Sequence, residues 1–405
     1  MSRKVTGVHQ RHRKSCDRQG RCRCPWAYYL SWTRSDGLQR QETKAGFPTQ
    51  GAAKEARAAR QADLASGKVL AGEDIGITVG DWLDRWLASR CDPHGEREPL
   101  RPSTANGYRR IIDFYLADTI GRVRLRDLRA AHVKEVYRQM RKRGLTEGTV
   151  RNVHAVLRAA TREAVRQQVI AYDPMGAVVL RKITHAPIEP WTPEQWRTFA
   201  NGASSERLWP CWLVAADGGL RRGELAGLRW SDVDLDAGVI TVTVARVQVG
   251  TEIHEGEPKT NAGTGRKVHL SAGTIEVLRA LRKTQAAERL AWGEAHKRSE
   301  LVFVMEDGSA WKPDSISQAF QRKAKALKLP VIRLHDLRHL SASLGAAAGE
   351  SMLAISKRLG HSTPMFTAQV YTHLFAEQIA DDASRRGELL GHGPSPDLAS
   401  GGSEN

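Results

Sequence analysis

Between residues 78 and 170 the sequence repeats the apolar spacing of an amphipathic helix four times. Thr78 and Ser103 supply hydroxyls that suit the N-caps of the first two helices, and Gly144 ends the third. Because each helix carries one apolar stripe, the four must bury their stripes against one another, which predicts a compact helical domain. The predicted inward-facing residues are Trp82, Leu83, Trp86, Leu87, Tyr108, Ile111, Ile112, Tyr115, Val133, Val136, Tyr137, Met140, Val150, Val153, Leu157 and Ala164.

A linker at residues 72–76 and a boundary near residues 185–190 separate this domain from the rest of the chain. The segment before it, residues 1–70, combines a β-like stretch at 26–32 with an Ala-rich helical pattern, which predicts a small β/α module. The helical domain takes residues 76–185, a mostly helical α/β domain takes residues 186–390, and residues 391–405 have the composition of a disordered tail. The predicted fold is therefore multidomain and mainly α, with small β elements.

The third domain begins with a clear helix start at residues 192–195. Thr192 offers a hydroxyl cap, a proline follows in the first turn, and Gln195 stands three residues after the cap. The alternating stretch 239–249 is predicted to be one strand, and residues 266–270 are predicted to pair with it across a hairpin.

The distribution of charge indicates a polyanionic partner. The chain has 62 Lys and Arg against 45 Asp and Glu, a formal net charge of +17. Residues 1–70 carry a net +10 and residues 76–185 a net +9, whereas residues 186–405 are neutral. Solubility alone would not need so uneven a distribution, so we expect DNA or RNA to bind the first two domains.

No stretch approaches the roughly 18 apolar residues of a membrane-spanning helix, and the basic N-terminus lacks the apolar segment of a secretory signal. We therefore expect an intracellular protein without a membrane partner. The five cysteines are an odd number for a disulfide framework. Cys16, Cys22 and Cys24, with His9 and His12 nearby, could hold zinc, but their spacing matches no closed zinc pattern. The sequence alone favours a reduced segment without metal.

Four segments of the neutral third domain carry groups that can hold or attack a phosphate. In the segment 218–225, Arg221 stands at a helix start, where its planar guanidinium can bind two phosphoryl oxygens, and Glu224 is placed to orient it. In the second segment, His335 and Arg338 lie three residues apart, a spacing that puts both on one face of a helix. This pair combines a proton-transfer group with a second phosphate clamp.

The other two segments supply an acid and a nucleophile. Lys259 is predicted on a hairpin after the strand, where a mobile ammonium can protonate a leaving oxygen. His361 lies in a break after Gly360, and Tyr371 lies two turns into the helix that Thr363 opens. Taken singly, each feature also has a structural explanation: a surface arginine, a mixed-charge helix, a solvated hairpin tip, a core tyrosine or a helix-turn-helix.

Together the polar residues of these segments resemble the signature of the tyrosine recombinase (phage integrase) family. They are Arg221, Lys259, His335, Arg338, His361 and Tyr371. The match runs from Thr192 to about Leu374, with Asp217 standing where the family usually has threonine. The helical domain also resembles that family's core-binding domain, and residues 1–70 more loosely resemble the arm-binding domain of phage-type integrases.

The resemblance implies a site-specific recombinase that uses neither metal nor ATP nor another cofactor. The chain has no phosphate loop of the GxxxxGK type and no carboxylate cluster for paired metals, in agreement with this. Tyr371 would attack a backbone phosphate and form a 3′-phosphotyrosyl bond, while Arg221 and Arg338 would hold the non-bridging oxygens. The implied helpers are Lys259 as acid on the leaving 5′-oxygen, His335 as base on the tyrosine and His361 as a further hydrogen-bond donor.

The resemblance implies partners as well. These are double-stranded DNA attachment sites of core and arm type, three further copies of the chain in a tetramer on DNA, an excisionase and a host DNA-bending protein. The protein would integrate a phage or other mobile element, and excise it with a directionality factor, in the cytoplasm and nucleoid of a bacterial host.

Two other interpretations stay open at this point. A type IB topoisomerase shares the tyrosine nucleophile, and strand joining between two different duplexes would separate the two enzymes. A helix-turn-helix repressor would explain the charge and the segment 359–371, but not Arg221, Lys259 and His335 in the same chain. Formation of a covalent protein–DNA adduct would separate the repressor from both enzymes.

Overall fold

The computed structural model describes residues 7–12, 16, 22–33, 39–65, 76–183, 190–258, 263–360, 386–387 and 390. In these residues the chain is mainly helical with small antiparallel sheets, which confirms the predicted fold class. The chain divides into two compact units, residues 1–185 and 186–405. Among the described helices, none is long and apolar enough to cross a bilayer. The predicted disordered tail, residues 391–405, lies outside the described residues.

The N-terminal module is a three-stranded antiparallel sheet with one helix. Its elements are β1 (Gly7–Gln10), β2 (Trp26–Thr33), β3 (Gln39–Phe47) and α1 (Gln50–Ala65). The helix packs on the sheet, with Ala53 fully buried and the Arg57 Nε donating to the Tyr29 carbonyl at 3.3 Å. β1 was not predicted, because four residues without alternation carry no strand signal and the strand is held by its pairing with β2.

The rest of the first unit is the predicted four-helix domain. The second of the four predicted helices is one continuous helix in three parts, with a π-helical stretch in its middle. A 3₁₀ turn, Leu125–Asp127, precedes the third predicted helix. The Thr78 hydroxyl accepts a hydrogen bond from the Asp81 N–H at 3.2 Å, which confirms the predicted cap. The elements are α2 (Val79–Cys91), α3 (Pro102–Ile111), the π-helical Ile112–Leu116, α4 (Ala117–Ile120), α5 (Ala130–Lys142) and α6 (Glu147–Arg166).

All the predicted inward-facing residues of this domain belong to one hydrophobic core or pack against it. The indole N–H of Trp82 donates to the Ala160 carbonyl at 2.9 Å and ties α2 to α6. Two predicted helix ends were wrong. Ser103 is not a cap, because α3 begins at Pro102, whose missing N–H suits the first helical turn. The last helix ends at Arg166, although its apolar spacing predicts helix as far as residue 170, since Gln168 takes a left-handed conformation.

The second unit surrounds a core rich in aromatic rings, among them Trp191, Phe199, Trp212 and Phe320. The Thr192 hydroxyl accepts a hydrogen bond from the Gln195 N–H, as predicted. The elements are α7 (Pro193–Ala203), α8 (Trp209–Gly218), α9 (Arg222–Gly227), β4 (Val233–Asp234), β5 (Val239–Val242), β6 (Ala245–Val249), β7 (Glu252–Gly256), β8 (Arg266–His269), α10 (Ala272–Trp292), α11 (Pro313–Ala326), α12 (Leu337–Ala347) and α13 (Met352–Leu359).

The predicted single strand 239–249 is wrong: the structure divides it between two sheets. β5 pairs with β4 and with β8, so the predicted pairing across the hairpin is confirmed for this half. β6 leaves that sheet, pairs with β7 and lies against α9. A β-carbon on Gly227 would come within 3.1 Å of the Val244 carbonyl, so the small residue permits this close approach. The alternation of side chains continues across the break between β5 and β6, so the sequence alone did not reveal that break.

Candidate active site

A tight turn between α8 and α9 carries the first predicted site residue. Gly219 ends α8 in a left-handed conformation, with φ of 67°, and Arg221 is the N-cap of α9. Glycine is required at 219 for two reasons: the backbone conformation, and the approach of the Leu359 side chain to the place that a β-carbon would occupy. Asp217, which stands where the resembled family usually has threonine, accepts from the N–H and the hydroxyl of Ser271 at 2.8 and 2.9 Å.

Arg221 is held by its own helix and by a distant segment. Its Nη1 donates to the Glu224 carboxylate at 2.9 Å, and the same carboxylate accepts from the Arg221 backbone N–H at 2.7 Å. Its Nη2 donates to the Gly360 carbonyl at 3.2 Å. About a quarter of the side chain, 24%, remains exposed. The predicted orienting role of Glu224 therefore agrees with the contacts.

Glu224 also forms a buried ion pair with Arg266. The two nitrogens Nη1 and Nη2 of Arg266 donate to its two oxygens at 3.0 and 2.6 Å, and the side chains are only 5% and 1% exposed. Burial alone would raise the pKa of Glu224, but the hydrogen bonds and the charge of Arg266 outweigh it and leave that pKa below its ordinary value. One carboxylate thus fixes two guanidinium groups.

Arg338, in the first turns of α12, is almost fully buried, with 3% of the residue exposed. Its Nη1 donates to the Gly219 carbonyl at 2.7 Å, and its Nη2 donates to the Leu359 carbonyl. The side chain therefore joins the turn before α9 to the end of α13. The guanidinium suits this bridging position because it is a rigid fork that presents two nitrogens in fixed directions, whereas the ammonium of a lysine is a single point on a flexible stem.

Three arginines from three separate elements converge on the C-terminus of α13. The last carbonyls of a helix have no partner within the helix and form the negative end of its dipole, so they attract cationic donors. The carbonyls of Arg358, Leu359 and Gly360 accept from Arg266 (at 3.0 Å), Arg338 and Arg221 (at 3.2 Å), respectively. The next residue in the chain is His361.

Arg358 and Ser341 complete the attachment of α13 to this turn. Arg358 donates to the Asp217 carbonyl at 3.1 Å, to the Glu350 carboxylate at 2.9 Å and to the Ser341 hydroxyl. The Ser341 hydroxyl donates to the same Asp217 carbonyl at 2.9 Å. The sequence analysis missed both residues. A basic residue in the last turn of a helix was the only signal for Arg358, and Ser341 had none.

His335 lies next to this cluster, but not on α12 as predicted. It belongs to a 3₁₀ turn, Leu334–Asp336, and α12 begins one residue later. Its ring stands at 86° to that of His339, with the centroids 5.9 Å apart. The residue as a whole is exposed to solvent. Partial desolvation of the ring and the charge of Arg338 lower its pKa to about 4, so the imidazole is neutral at pH 7.

The structure thus brings Arg221 and Arg338 together at the end of α13. The other three predicted residues, Lys259, His361 and Tyr371, lie outside the described residues. Guanidinium groups and a neutral imidazole are the kinds of group that a phosphoryl-transfer site uses to hold phosphate oxygens and to accept a proton.

Comparison with known proteins agrees with this geometry. Residues 195–378 match the phage integrase family, and this range contains all six predicted site residues. The chain is similar to the ICEBs1 integrase of Bacillus subtilis, with 24% identity over 292 residues, which cover 72% of this chain and 79% of that relative.

Two solved structures share the fold. One is the Tn1549 transposon integrase in complex with a circular intermediate DNA, with a TM-score of 0.64 at 21% identity, covering 76% of this chain and 99% of that one. The other is a lambda integrase tetramer bound to a Holliday junction, with a TM-score of 0.56 at 18% identity, covering 84% and 94%. The resemblance predicted from the sequence is therefore confirmed.

Proposed function

We propose that this chain, which is a tyrosine recombinase of the phage integrase family, integrates a phage or other mobile element by cutting and rejoining DNA through a 3′-phosphotyrosyl intermediate. One observation carries the proposal. Two guanidinium groups, on Arg221 and Arg338, converge on the carbonyls of residues 359 and 360, twelve and eleven residues before Tyr371 in the sequence. The proposed nucleophile is thus attached to the chain directly after the proposed phosphate clamp.

In the proposed reaction the Tyr371 hydroxyl attacks the scissile phosphate and the 5′-oxygen leaves. Negative charge grows on the non-bridging oxygens in the transition state, and Arg221 and Arg338 stabilise it. His335 takes up the tyrosine proton. Because its pKa is lowered, the imidazole is neutral at pH 7 and has a nitrogen that can accept the proton, although the same shift makes it a weak base.

The two remaining site residues act on the oxygens. Lys259 gives a proton to the leaving 5′-oxygen, and His361 donates a hydrogen bond to the phosphate. The phosphodiester energy is kept in the enzyme–DNA bond, so the attacking 5′-hydroxyl of a second strand can reverse the step without ATP. In this way the chain would exchange strands between two attachment sites.

Charge in the first unit supports DNA as the partner. Arg158 and Arg162 lie one turn apart on the exposed side of α6, and Lys134 and Lys142 are exposed on α5. We assign this helical domain, residues 76–185, to the core site and the N-terminal module to arm sites. In the proposal four copies act on two sites, which agrees with the lambda integrase tetramer bound to a Holliday junction, and an excisionase and a host DNA-bending protein set the direction.

Strand joining between two duplexes tests this function. The candidate substrates are the DNA flanking the coding region, where integrases often have their own attachment site, and a host sequence sharing a short repeat with it. We expect recombinant product from a mixture of the two duplexes. Relaxation of supercoiled DNA without joining would instead assign a type IB topoisomerase, and tight binding without a covalent adduct would assign a repressor.

Lys259 is expected to matter only for a poor leaving group. Lys259→Ala should slow cleavage of ordinary DNA by roughly 10²- to 10⁴-fold, the range of general acid catalysis, and should recover most of that rate when sulfur replaces the scissile 5′-oxygen. Lys267→Ala, at an exposed residue of β8, is the matched control and should cleave both substrates normally. Equal impairment of Lys259→Ala on both substrates would leave Lys259 as a phosphate contact only.

Deletion of residues 1–70 is expected to spare the chemistry and abolish recombination of full attachment sites. Every proposed catalytic residue follows position 218, so the truncated chain should still cleave and covalently trap an isolated core site. The salt dependence of DNA binding should also become weaker, by a slope of roughly 0.9 for each phosphate that the module neutralises. Normal recombination of full sites by the truncated chain would remove the arm-binding role.

A further inference from the structure

Four side chains of the N-terminal module form a cluster that the recombination reaction does not use. They are His12, Cys16, Cys22 and Cys24, and their Nδ1 or Nε2 and Sγ atoms all lie within 4.8 Å of one another. The His12 Nδ1 lies 3.5 Å from the Cys16 Sγ and 3.3 Å from the Cys22 Sγ. Cys24 is buried, whereas His12 reaches the surface.

The two nitrogen–sulfur distances match the edges that a zinc coordination tetrahedron would have. With Zn–S of about 2.3 Å and Zn–N of about 2.0–2.1 Å, a tetrahedral site places its nitrogen roughly 3.5 Å from each sulfur. Both measured nitrogen–sulfur distances fall near that value. A hydrogen bond between His12 and one cysteine would not by itself place the other two cysteines around the same point.

The sheet explains how the ligands meet. In the β1–β2 ladder Gln10 lies opposite Trp26, and the pairing continues past the strand ends, because the Arg11 N–H donates to the Pro25 carbonyl at 2.8 Å. The same register brings His12 opposite Cys24, at the distance of cross-strand neighbours.

A side chain of β1 holds the cysteine segment in place. The Gln10 side-chain amide donates to the carbonyls of Cys22 and Cys24 at 3.0 and 2.9 Å. This contact fixes the backbone on both sides of residue 23. It is the kind of outer contact that orients the ligands of a metal site.

We propose that His12, Cys16, Cys22 and Cys24 bind one Zn²⁺ as a closed structural site. Four protein ligands leave no open position, which separates a structural from a catalytic zinc. Tetrahedral coordination by three thiolates and an imidazole is the donor set that suits Zn²⁺. On binding, the thiols lose their protons to solvent, and the three thiolates and the ion together carry one negative charge.

The small size of the module explains why it would need the metal. Domains shorter than roughly 70–80 residues bury too little apolar surface to be stable without a disulfide, a metal or a partner. The structure describes all five cysteines of the chain, and none of them is in a disulfide. Zinc would therefore hold β1 against β2 in a module whose net charge of +10 opposes compaction.

Metal analysis of the purified full-length protein tests the site. We expect about one zinc per chain after dialysis against metal-free buffer without chelator. Cys22→Ser should reduce the zinc content at least fivefold, whereas Cys91→Ser, a change at an exposed cysteine of α2, should leave it unchanged. Wild-type protein with no more zinc than Cys22→Ser would overturn the proposal.

A pair of substitutions at His12 separates metal binding from misfolding. His12→Ala should lose the zinc, but His12→Cys should keep it, since four thiolates also make a closed site. If His12→Ala is insoluble, wild-type protein loaded with Co²⁺ gives the answer: the bands of tetrahedral thiolate-bound cobalt are expected, and a spectrum of octahedral cobalt would contradict the site. These measurements do not involve DNA, so they hold whether or not the module binds arm sites.

Discussion

Replacing Tyr371 with phenylalanine is expected to abolish covalent capture of DNA and to leave DNA binding intact. The substitution removes only the hydroxyl that forms the phosphotyrosyl bond, and loss of a nucleophile costs at least about 10³-fold in rate. The measurement is the fraction of SDS-resistant adduct on a nicked suicide substrate, together with the affinity for the same DNA in a gel shift.

The matched control for this experiment is Tyr172→Phe. Tyr172 is 48% exposed, and its hydroxyl donates to the Leu128 carbonyl within the helical domain. The control should form the adduct at the wild-type rate. A persistent adduct in Tyr371→Phe would show that Tyr371 is not the nucleophile, and its disappearance in Tyr172→Phe would transfer the role to that residue.

The second large effect is expected from breaking the buried pair of Arg266 and Glu224. Arg266→Met should lower the free energy of unfolding by about 3–5 kcal/mol, because it leaves the Glu224 carboxylate buried with one fewer partner. Urea unfolding followed by tryptophan fluorescence measures the loss. Arg197→Met is the matched control: Arg197 pairs with Glu194 in an exposed bridge, and its loss should cost no more than about 1 kcal/mol.

The double variant Arg266→Met, Glu224→Leu separates stability from activity. Removing both charges takes away the unpaired carboxylate, so most of the lost stability should return. DNA cleavage should stay impaired, since Arg221 then lacks the carboxylate that orients it. Equal urea midpoints for Arg266→Met and Arg197→Met would contradict the structural role of the pair, and full activity of the double variant would contradict the orienting role of Glu224.

The sequence predicted those parts of the site that depend on neighbours in the chain. Arg221 stands at a helix start and Glu224 three residues later, so their contact follows from local geometry. Arg266 is different. It points inward with Val268 on β8, and its partner lies 42 residues away, so its role became visible only once β8 had a place in a sheet.

The difference between contacts of chain neighbours and contacts of distant residues also explains the errors in the predicted fold. The apolar stripes of the helical domain follow from a repeated spacing, and they were predicted correctly. The break between β5 and β6 depends on the approach of α9, and β1 depends on its pairing with β2. The zinc cluster is a further case: its ligands follow no standard spacing, and the cross-strand register brings His12 to Cys24.

The contacts at the end of α13 also set an order of assembly during synthesis. Arg221 and Arg358 bond to residues 139 and 141 positions away, and closing so long a loop costs entropy that local contacts cannot repay. The Arg221 contact cannot form before residue 360 has left the ribosome, and the Arg358 contact cannot form before residue 358 has done so. A nascent chain therefore holds its two basic domains long before it holds the proposed phosphate site, and under the proposed function incomplete chains would occupy DNA without cutting it.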